Sequence, residues 1–96
     1  MQRGFTWHPV KEAANLRKHG VSFQEAETVF SDENAILLDD PGHSDSEERS
    51  VLMGLSDRLR VLVVCHALRD ENIIRVISAR RATKQERAQY LERVMP

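Results

Sequence analysis

The sequence predicts an α+β fold in which helices pack against an antiparallel sheet. Two capping-box spacings, from Ser22 to Glu25 and from Thr83 to Glu86, mark the starts of two helices. Apolar, β-branched runs in the second half of the chain are typical of strands, and short polar connections join them as in an antiparallel meander. A length of 96 residues predicts one domain that spans residues 1–96.

The N-terminal third is predicted to form two helices, preceded by an optional short strand. Residues 5–7 alternate between apolar and polar, which is the pattern of a strand. Pro9 suits the first turn of a helix that ends at about His19, because Gly20 is placed as a left-handed cap just beyond it. The capping box at Ser22 then starts a second helix over about residues 23–30.

The first predicted helix has two unlike sides. Its thin apolar side contains Val10, Ala13, Ala14 and Leu16. Its other side is polar and mostly cationic, and its members follow helical spacing: Lys11, Asn15, Lys18 and His19. This second side supplies candidates for contact with an anion.

Four strands and a last helix are predicted for the rest of the chain. The strands cover about residues 35–38, 49–55 and 59–68, followed by a fourth that begins at Ile73. The Asp-Asp-Pro-Gly sequence at residues 39–42 is a turn signal, and a polar loop should follow it to Glu47. Residues 59–68 form a nearly unbroken apolar run, so this is the predicted central strand. The terminal helix begins at about Lys84.

A basic cluster follows the last predicted strand. Strict alternation along that strand places Arg75 on one face and Arg80 on the other, so that each face carries one guanidinium group. Arg80 and Arg81 stand where the strand gives way to the terminal helix. We expect their side chains to converge on a ligand at this corner.

The charge distribution is more informative than the net charge of −1. Residues 32–48 contain seven acidic residues and no Lys or Arg, whereas residues 58–96 contain nine basic residues and four acidic ones. One interpretation is two differently solvated faces. The other is a basic face that binds phosphate.

Several functional classes are disfavoured by what the sequence lacks. The single cysteine, Cys65, cannot form an internal disulfide and is interpreted as a core residue. The four histidines do not have the spacing of a zinc-binding helix, and we expect no metal or cofactor. No apolar run approaches the roughly 20 residues of a membrane span, so we expect a cytoplasmic protein without a membrane partner.

The remaining chemistry is a set of cations with a few proton donors and acceptors. Metal-free RNA cleavage needs such groups: one accepts the proton of the 2′-hydroxyl, cations stabilise the phosphate, and another group protonates the departing 5′ oxygen. The candidates are Lys11, Lys18, His19, Glu48, Arg49, His66, Arg75, Arg80, Arg81 and Tyr90. Structural roles are alternatives, because His19 can bond the last carbonyls of its helix and Glu48 and Arg49 can pair across the sheet.

The sequence also resembles the BrnT family of bacterial toxins over nearly its whole length. The resemblance lies in Trp7, Lys11, Asn15, residues 18–23, Glu25, Ala26, Val29, Phe30, Glu48, Arg49, Gly54, residues 77–83, Glu86 and Tyr90. It implies a RelE-like fold, a ribonuclease that arrests translation, and neutralisation by a BrnA-type antitoxin whose dimer binds operator DNA. One departure is His8, which stands where the family usually has Asp, a better helix cap.

On this basis the predicted catalytic residues are Lys11, His19, Glu48 and Arg80. The predicted substrate-binding residues are Lys18, Arg49, Arg75, Arg81 and Tyr90. The expected partners are RNA and the antitoxin in a hetero-oligomer, for example two copies of each, with DNA contacted only through the antitoxin. A non-catalytic module whose basic face binds nucleic acid or an acidic protein is the alternative function, and an inactive family member is a third.

Overall fold

A five-stranded sheet with helices on its faces and at its edge organises the protein. The computed structural model describes residues 4–39 and 49–95. In chain order its elements are β1 (Gly4–Thr6), α1 (Pro9–His19), α2 (Phe23–Thr28), a single 3₁₀ turn (Val29–Ser31), β2 (Ile36–Asp39), β3 (Arg49–Leu55), β4 (Val61–Asp70), β5 (Ile73–Arg81) and α3 (Lys84–Val94). The predicted α+β class is confirmed. The predicted turn at residues 39–42 and the loop to Glu47 lie largely outside the described residues.

The strand order is β1-β5-β4-β3-β2. The pairs β2–β3, β3–β4 and β4–β5 are antiparallel, which confirms the predicted meander. Strand β1 pairs with the other edge of β5 and is parallel to it. The optional first strand is therefore present. The apolar run that was predicted to be central is β4, which stands in the middle of the sheet.

The helix ends follow the predicted capping chemistry. Ser22 Oγ accepts the Glu25 amide at 3.0 Å, and Thr83 and Glu86 form a complete capping box. Gly20 has φ 69°, the left-handed conformation expected of a residue that ends a helix. His8 also caps α1, because its Nδ1 accepts the Val10 amide at 3.2 Å. Helix α1 therefore has a side-chain cap at the position where His8 was expected to be a poorer cap than Asp.

Hydrophobic side chains cover both faces of the sheet. On one face, α2 and the segment before it pack against β4 and β5 in a buried cluster of Val21, Phe23, Ala26, Val29, Leu62, Val64, Val76 and Ala79. On the other face, α3 packs through Tyr90 and Val94 against a second cluster that includes Met53, Val61 and Val63. Because α3 is short, it covers the half of this face that lies near the β3–β4 turn.

Helix α1 is attached to the sheet through a polar residue. Asn15 is 7% exposed, and its amide nitrogen donates to the carbonyls of Val21 (2.9 Å) and Ala79 (2.8 Å). Its amide oxygen accepts the backbone N–H of Ala79 at 3.1 Å. The carboxamide therefore satisfies both backbone groups of Ala79, beyond the point where β1 stops pairing with β5. Apolar residues of α1 instead face solvent, with Val10 68% and Leu16 49% exposed.

A β-bulge in β5 changes which of its residues share a face, so the predicted strict alternation does not hold. Cys65 of β4 pairs with Ser78, but the next residue, His66, pairs with Val76, so Ile77 is the extra residue. One extra residue reverses the facing of everything beyond it. Arg75 and Arg80 consequently lie on the same face, and the prediction of one guanidinium on each face is wrong.

A buried ion pair ties α2 to the turn between β3 and β4. Glu25 is 5% exposed and accepts hydrogen bonds from Ser56 Oγ (2.7 Å) and Arg60 Nε (2.9 Å), and it also pairs with Arg60 Nη2. The hydrogen bonds from Arg60 lower the pKa of Glu25. The arrangement holds α2 against the end of the sheet. None of the described helices is long and apolar enough to cross a bilayer.

Candidate active site on the sheet

The half of the sheet that α3 leaves uncovered carries a cluster of cations. Arg49 of β3, Ala67 of β4 and Arg75 of β5 are direct neighbours in one cross-strand row. Toward α3, Cys65 pairs with Ser78, and Arg80 follows on β5 opposite Val63. We call this surface the cationic face and define it by Arg49, Cys65, Ala67, Arg75, Ser78 and Arg80.

The spacing of the cationic face suits a phosphate. Arg49 and Arg75 stand on either side of β4, so their Cα atoms are about 10 Å apart by the usual strand spacing. The residue between them, Ala67, has only a methyl side chain and is 1% exposed. Two long guanidinium side chains can reach a phosphate placed over that position. The bulge at Ile77 brings Arg80 onto the same surface.

Arg80 is held by a carboxylate from α3. Its Nη1 and Nη2 donate to Glu86 Oε1 (2.8 Å) and Oε2 (3.0 Å) in a bidentate pair, while 41% of the Arg80 side chain stays exposed. The hydrogen bonds from Arg80 and the Thr83 amide lower the pKa of Glu86 to about 2, and the pKa of Arg80 is raised. Glu86 therefore fixes the position of a cation that is still accessible to a ligand.

Arg81 does not join Arg80 at the predicted corner. Arg80 pairs with Val63 and Arg81 with Leu62, and successive strand residues point to opposite faces. Arg81 is exposed on the face that carries α2. The expectation that these two side chains converge on one ligand is wrong, although a role for either residue separately stays a prediction.

Tyr90 anchors α3 rather than extending into solvent. It is 3% exposed, and its hydroxyl donates to Asp32 Oδ2 at 2.6 Å. Asp32 Oδ2 also accepts the Leu55 amide at 2.8 Å, so one carboxylate links α3, β3 and the segment after the 3₁₀ turn. Burial, reinforced by the bond to Asp32, raises the pKa of Tyr90 to about 12. The phenol keeps its proton at neutral pH, and its predicted substrate contact stays a prediction.

Comparison with known proteins decides the class of this molecule. Residues 7–86 match the profile of a family described as the ribonuclease toxin BrnT of a type II toxin-antitoxin system. The match covers most of the chain. This chain belongs to the BrnT family.

The BrnT fold is also seen in a solved relative. The 1.1 Å crystal structure of the Brucella abortus ribonuclease toxin BrnT superposes with a TM-score of 0.66 at 21% sequence identity. The alignment covers 86% of this chain and 100% of that one. At this level of identity the likeness shows the fold alone. No curated protein matches the chain significantly in sequence.

The other predicted site residues of this BrnT-family chain lie on α1 or outside the described residues. Lys11 and Lys18 are exposed and His19 is half-buried, on the helix that runs along the edge of β5. Glu48 lies outside the described residues, although it precedes Arg49 in the chain. Arg49 and Arg75 are the predicted substrate-binding residues that the fold brings together on the cationic face.

Three features of the BrnT-family site were missed by sequence reasoning. Cys65 is half-buried on the cationic face and does not lie in the core as predicted. Ser78 lies beside it, because the bulge selects which residues share a face. Glu86 is the partner of Arg80, and its place in the capping box was a usable signal, since Arg80 comes shortly before the helix. His66 packs on the opposite face against Phe30, with ring centroids 4.8 Å apart.

Proposed function

We propose that this protein cleaves RNA without a metal ion, arrests translation and is silenced by an antitoxin. The observation that carries the proposal is the cationic face, where Arg49, Arg75 and Arg80 share one face of the sheet beside α3. A ribonuclease family is the established context. A toxin that cleaves RNA and arrests translation acts where RNA and ribosomes are found. We therefore propose the cytoplasm as its location.

The chemistry is transfer of the scissile phosphate to the neighbouring 2′ oxygen. The 2′ oxygen loses its proton to a base and bonds to phosphorus, the bond from phosphorus to the 5′ oxygen breaks, and that oxygen takes a proton from an acid. The products are a 2′,3′-cyclic phosphate and a 5′-hydroxyl. Negative charge grows on the non-bridging oxygens during the reaction, and guanidinium groups held in place stabilise it most effectively.

Residue roles follow from position and chemistry. Arg80 is proposed as the catalytic cation, because Glu86 fixes it while leaving 41% of it exposed. Arg49 and Arg75 are proposed to bind the substrate phosphates, with Lys18, Arg81 and Tyr90 as further binding candidates. Glu48, His19 and Lys11 are the candidates for proton transfer.

The test is cleavage of a labelled RNA by purified protein in EDTA. Fragments that end in a cyclic phosphate are expected from the wild type. Arg80→Ala should slow cleavage by about 100-fold, the usual effect of removing one group that stabilises transition-state charge. Arg17→Ala removes an exposed arginine from α1 and should leave the rate unchanged.

Two results would contradict the proposal. Cleavage that stops in EDTA and returns with a divalent ion would refute metal independence. An Arg80→Ala protein that cleaves at the wild-type rate, or one whose melting temperature collapses, would show that the role of Arg80 is not catalytic. Glu48→Gln and His19→Ala, assayed in parallel, identify which of the two transfers the proton. If purified wild-type protein binds RNA and leaves it intact, the non-catalytic alternative is correct.

We further propose that the antitoxin covers α1 and the end of β5 that carries Arg80 and Arg81, whose side chains lie on opposite faces there. Helix α1 presents apolar side chains to solvent, and Lys11 and Lys18 are exposed beside them. Such a surface suits an amphipathic segment with acidic residues, since opposite charges steer association and apolar contact stabilises the complex. Covering it would block access of RNA from that edge.

Charge-reversal substitutions distinguish this arrangement from one in which the antitoxin binds the acidic residues between positions 32 and 48. Arg81→Glu should weaken the complex with the co-expressed antitoxin, as measured by titration calorimetry. The double substitution Asp39→Lys with Asp40→Lys should leave the affinity unchanged. The opposite pattern would show that the antitoxin binds the acidic stretch and that occlusion of the basic surface is the wrong mechanism.

A further inference from the structure

A recess lies at the edge of the sheet, where β1 meets β5. We call it the edge pocket and define it by Trp7, His8, Arg69, Asp70, Ile73 and Arg75. Its volume is about 520 Å³. Its walls combine an aromatic ring, an aliphatic side chain and two guanidinium groups. This is the combination that binds single-stranded nucleic acid.

The edge pocket is continuous with the cationic face through one residue. Arg75 lines the pocket and also pairs with Ala67 in the row that contains Arg49. On its other side Arg75 is the register partner of Thr6 in β1, just before Trp7. Thr6 shares the cationic face with Arg75, whereas Trp7, the next residue, packs with Phe23 on the α2 face. An RNA strand whose phosphate lies over Ala67 would therefore reach the ring of Trp7 around the edge of the sheet at β1.

The aromatic wall is held in position. Trp7 is half-buried, and its ring meets the edge of Phe23 with centroids 6.0 Å apart and an interplanar angle of 78°. Phe23 is fully buried in the core cluster. A ring supported from behind loses little freedom when a base stacks on it, so stacking there is favourable.

His8 adds a hydrogen-bond donor at the rim. Its Nδ1 accepts the Val10 amide at 3.2 Å, so in the neutral ring the proton is on Nε2. Nε2 is thus a donor for a phosphate or sugar oxygen. Asp70 on the other wall repels phosphate and accepts from base amino groups, so the pocket orients a nucleotide with its phosphate toward Arg75.

We propose that the edge pocket binds one nucleotide of the RNA substrate, next to the phosphate on the cationic face. The base extends past β1 to the ring of Trp7 at the edge of the sheet, and the phosphate contacts Arg75, Arg69 and His8. This inference rests on the proposed function, since it assigns a place to a neighbouring nucleotide of the same substrate. It explains what an aromatic pocket does beside a set of phosphate-binding arginines.

Tryptophan fluorescence tests the pocket directly, because Trp7 is the one tryptophan of the 96-residue chain. The probe is a short 2′-O-methyl oligonucleotide, which lacks the 2′-hydroxyl and cannot be cleaved. Its addition should change Trp7 emission saturably, with the midpoint that fluorescence anisotropy of a labelled copy gives. Arg69→Ala should weaken binding by about tenfold, as expected for one lost charge-assisted contact.

A matched control distinguishes a specific contact made by Arg69 from a general effect of positive charge on RNA binding. Arg58 is also exposed, but it lies in the β3–β4 turn at the other end of β4. Arg58→Ala should leave the midpoint within twofold of the wild-type value. If Arg69→Ala and Arg58→Ala weaken binding equally, the pocket contributes only charge and the inference is wrong.

The two measurements also distinguish failure of the pocket from failure of the proposed function. Binding seen by anisotropy with unchanged Trp7 emission would overturn the edge pocket and leave RNA binding on the cationic face intact. Absence of binding in both measurements, at low salt and micromolar protein, would overturn the pocket and the proposed RNA substrate together.

Discussion

Replacement of Asn15 by alanine tests whether a single carboxamide attaches α1 to the sheet. The side chain is 7% exposed and joins three backbone groups: the carbonyls of Val21 and Ala79 and the N–H of Ala79. Alanine keeps helix propensity high, so the helix itself should not be weakened. The substitution removes the three hydrogen bonds and leaves their backbone partners without the carboxamide.

The expected cost follows from those three bonds. A typical protein hydrogen bond contributes about 1 kcal/mol net, and a buried group left unsatisfied costs about 1–3 kcal/mol. Water can reach part of this edge once the side chain is gone, so we expect a loss of about 3 kcal/mol in the free energy of unfolding. For a domain of this size that corresponds to a fall of roughly 15 °C in melting temperature.

Urea unfolding at 25 °C, followed by circular dichroism, measures this loss. Asn34→Ala is the matched control, because Asn34 is exposed in a turn and should change stability by less than about 0.5 kcal/mol. Asn15→Asp keeps the acceptor for Ala79 but sets a carboxylate against two carbonyls, so it should be at least as destabilising at neutral pH. An Asn15→Ala protein within about 1 kcal/mol of the wild type would refute the reasoning.

Three further predictions concern packing, pH and salt. A Cβ on Gly54 would lie 2.9 Å from Ala35 Cβ, so Gly54→Ala should destabilise the fold by about 1–3 kcal/mol in urea titrations, and an unchanged midpoint would contradict this. The folded pKa of Glu86, about 2, is below its ordinary value of 4.5. Its contribution to stability is therefore present above pH 4.5 and lost as the pH falls toward 2, and Glu86→Gln should flatten that part of the melting-temperature profile. RNA affinity should fall steeply with salt, and Arg75→Ala should reduce the slope of log affinity against log salt by about 0.7, whereas an equal slope would exclude a phosphate contact.

The parts of the fold that depend on neighbouring residues were predictable. The Ser22 side-chain cap, the capping box at Thr83, the left-handed Gly20 and the polar connections between strands act within a few residues, so their sequence patterns are sufficient. The central position of β4 followed from its unbroken apolar run. The excess of basic residues in the second half of the chain was also evident from the sequence.

The arrangement of the site depended on a feature without a sequence signature. The bulge at Ile77 adds one residue to β5, and that shift decides that Arg75, Ser78 and Arg80 share a face. Strict alternation predicts opposite faces for Arg75 and Arg80, and the bulge reverses this result. A bulge is set by how two strands fit over their whole length, and neither strand alone contains that information.

Long-range partners were likewise outside the reach of sequence patterns. Asn15 bonds a residue 64 positions away, and Tyr90 bonds Asp32 across 58 positions. The sequence pattern assigned Asn15 to the polar side of its helix, and Tyr90 was predicted to bind the substrate. In the folded protein both are buried anchors.

The sequence by itself determined the α+β class, the ends of the helices, the antiparallel order of the meander and the identity of the cations, because short-range backbone chemistry and composition control these properties. Only the tertiary structure decided which cations meet, that Glu86 holds Arg80, that Arg81 points away from it, and that Trp7 and Arg75 line one pocket. Those juxtapositions depend on strand register and on contacts between distant segments, which form only when the whole sheet is assembled.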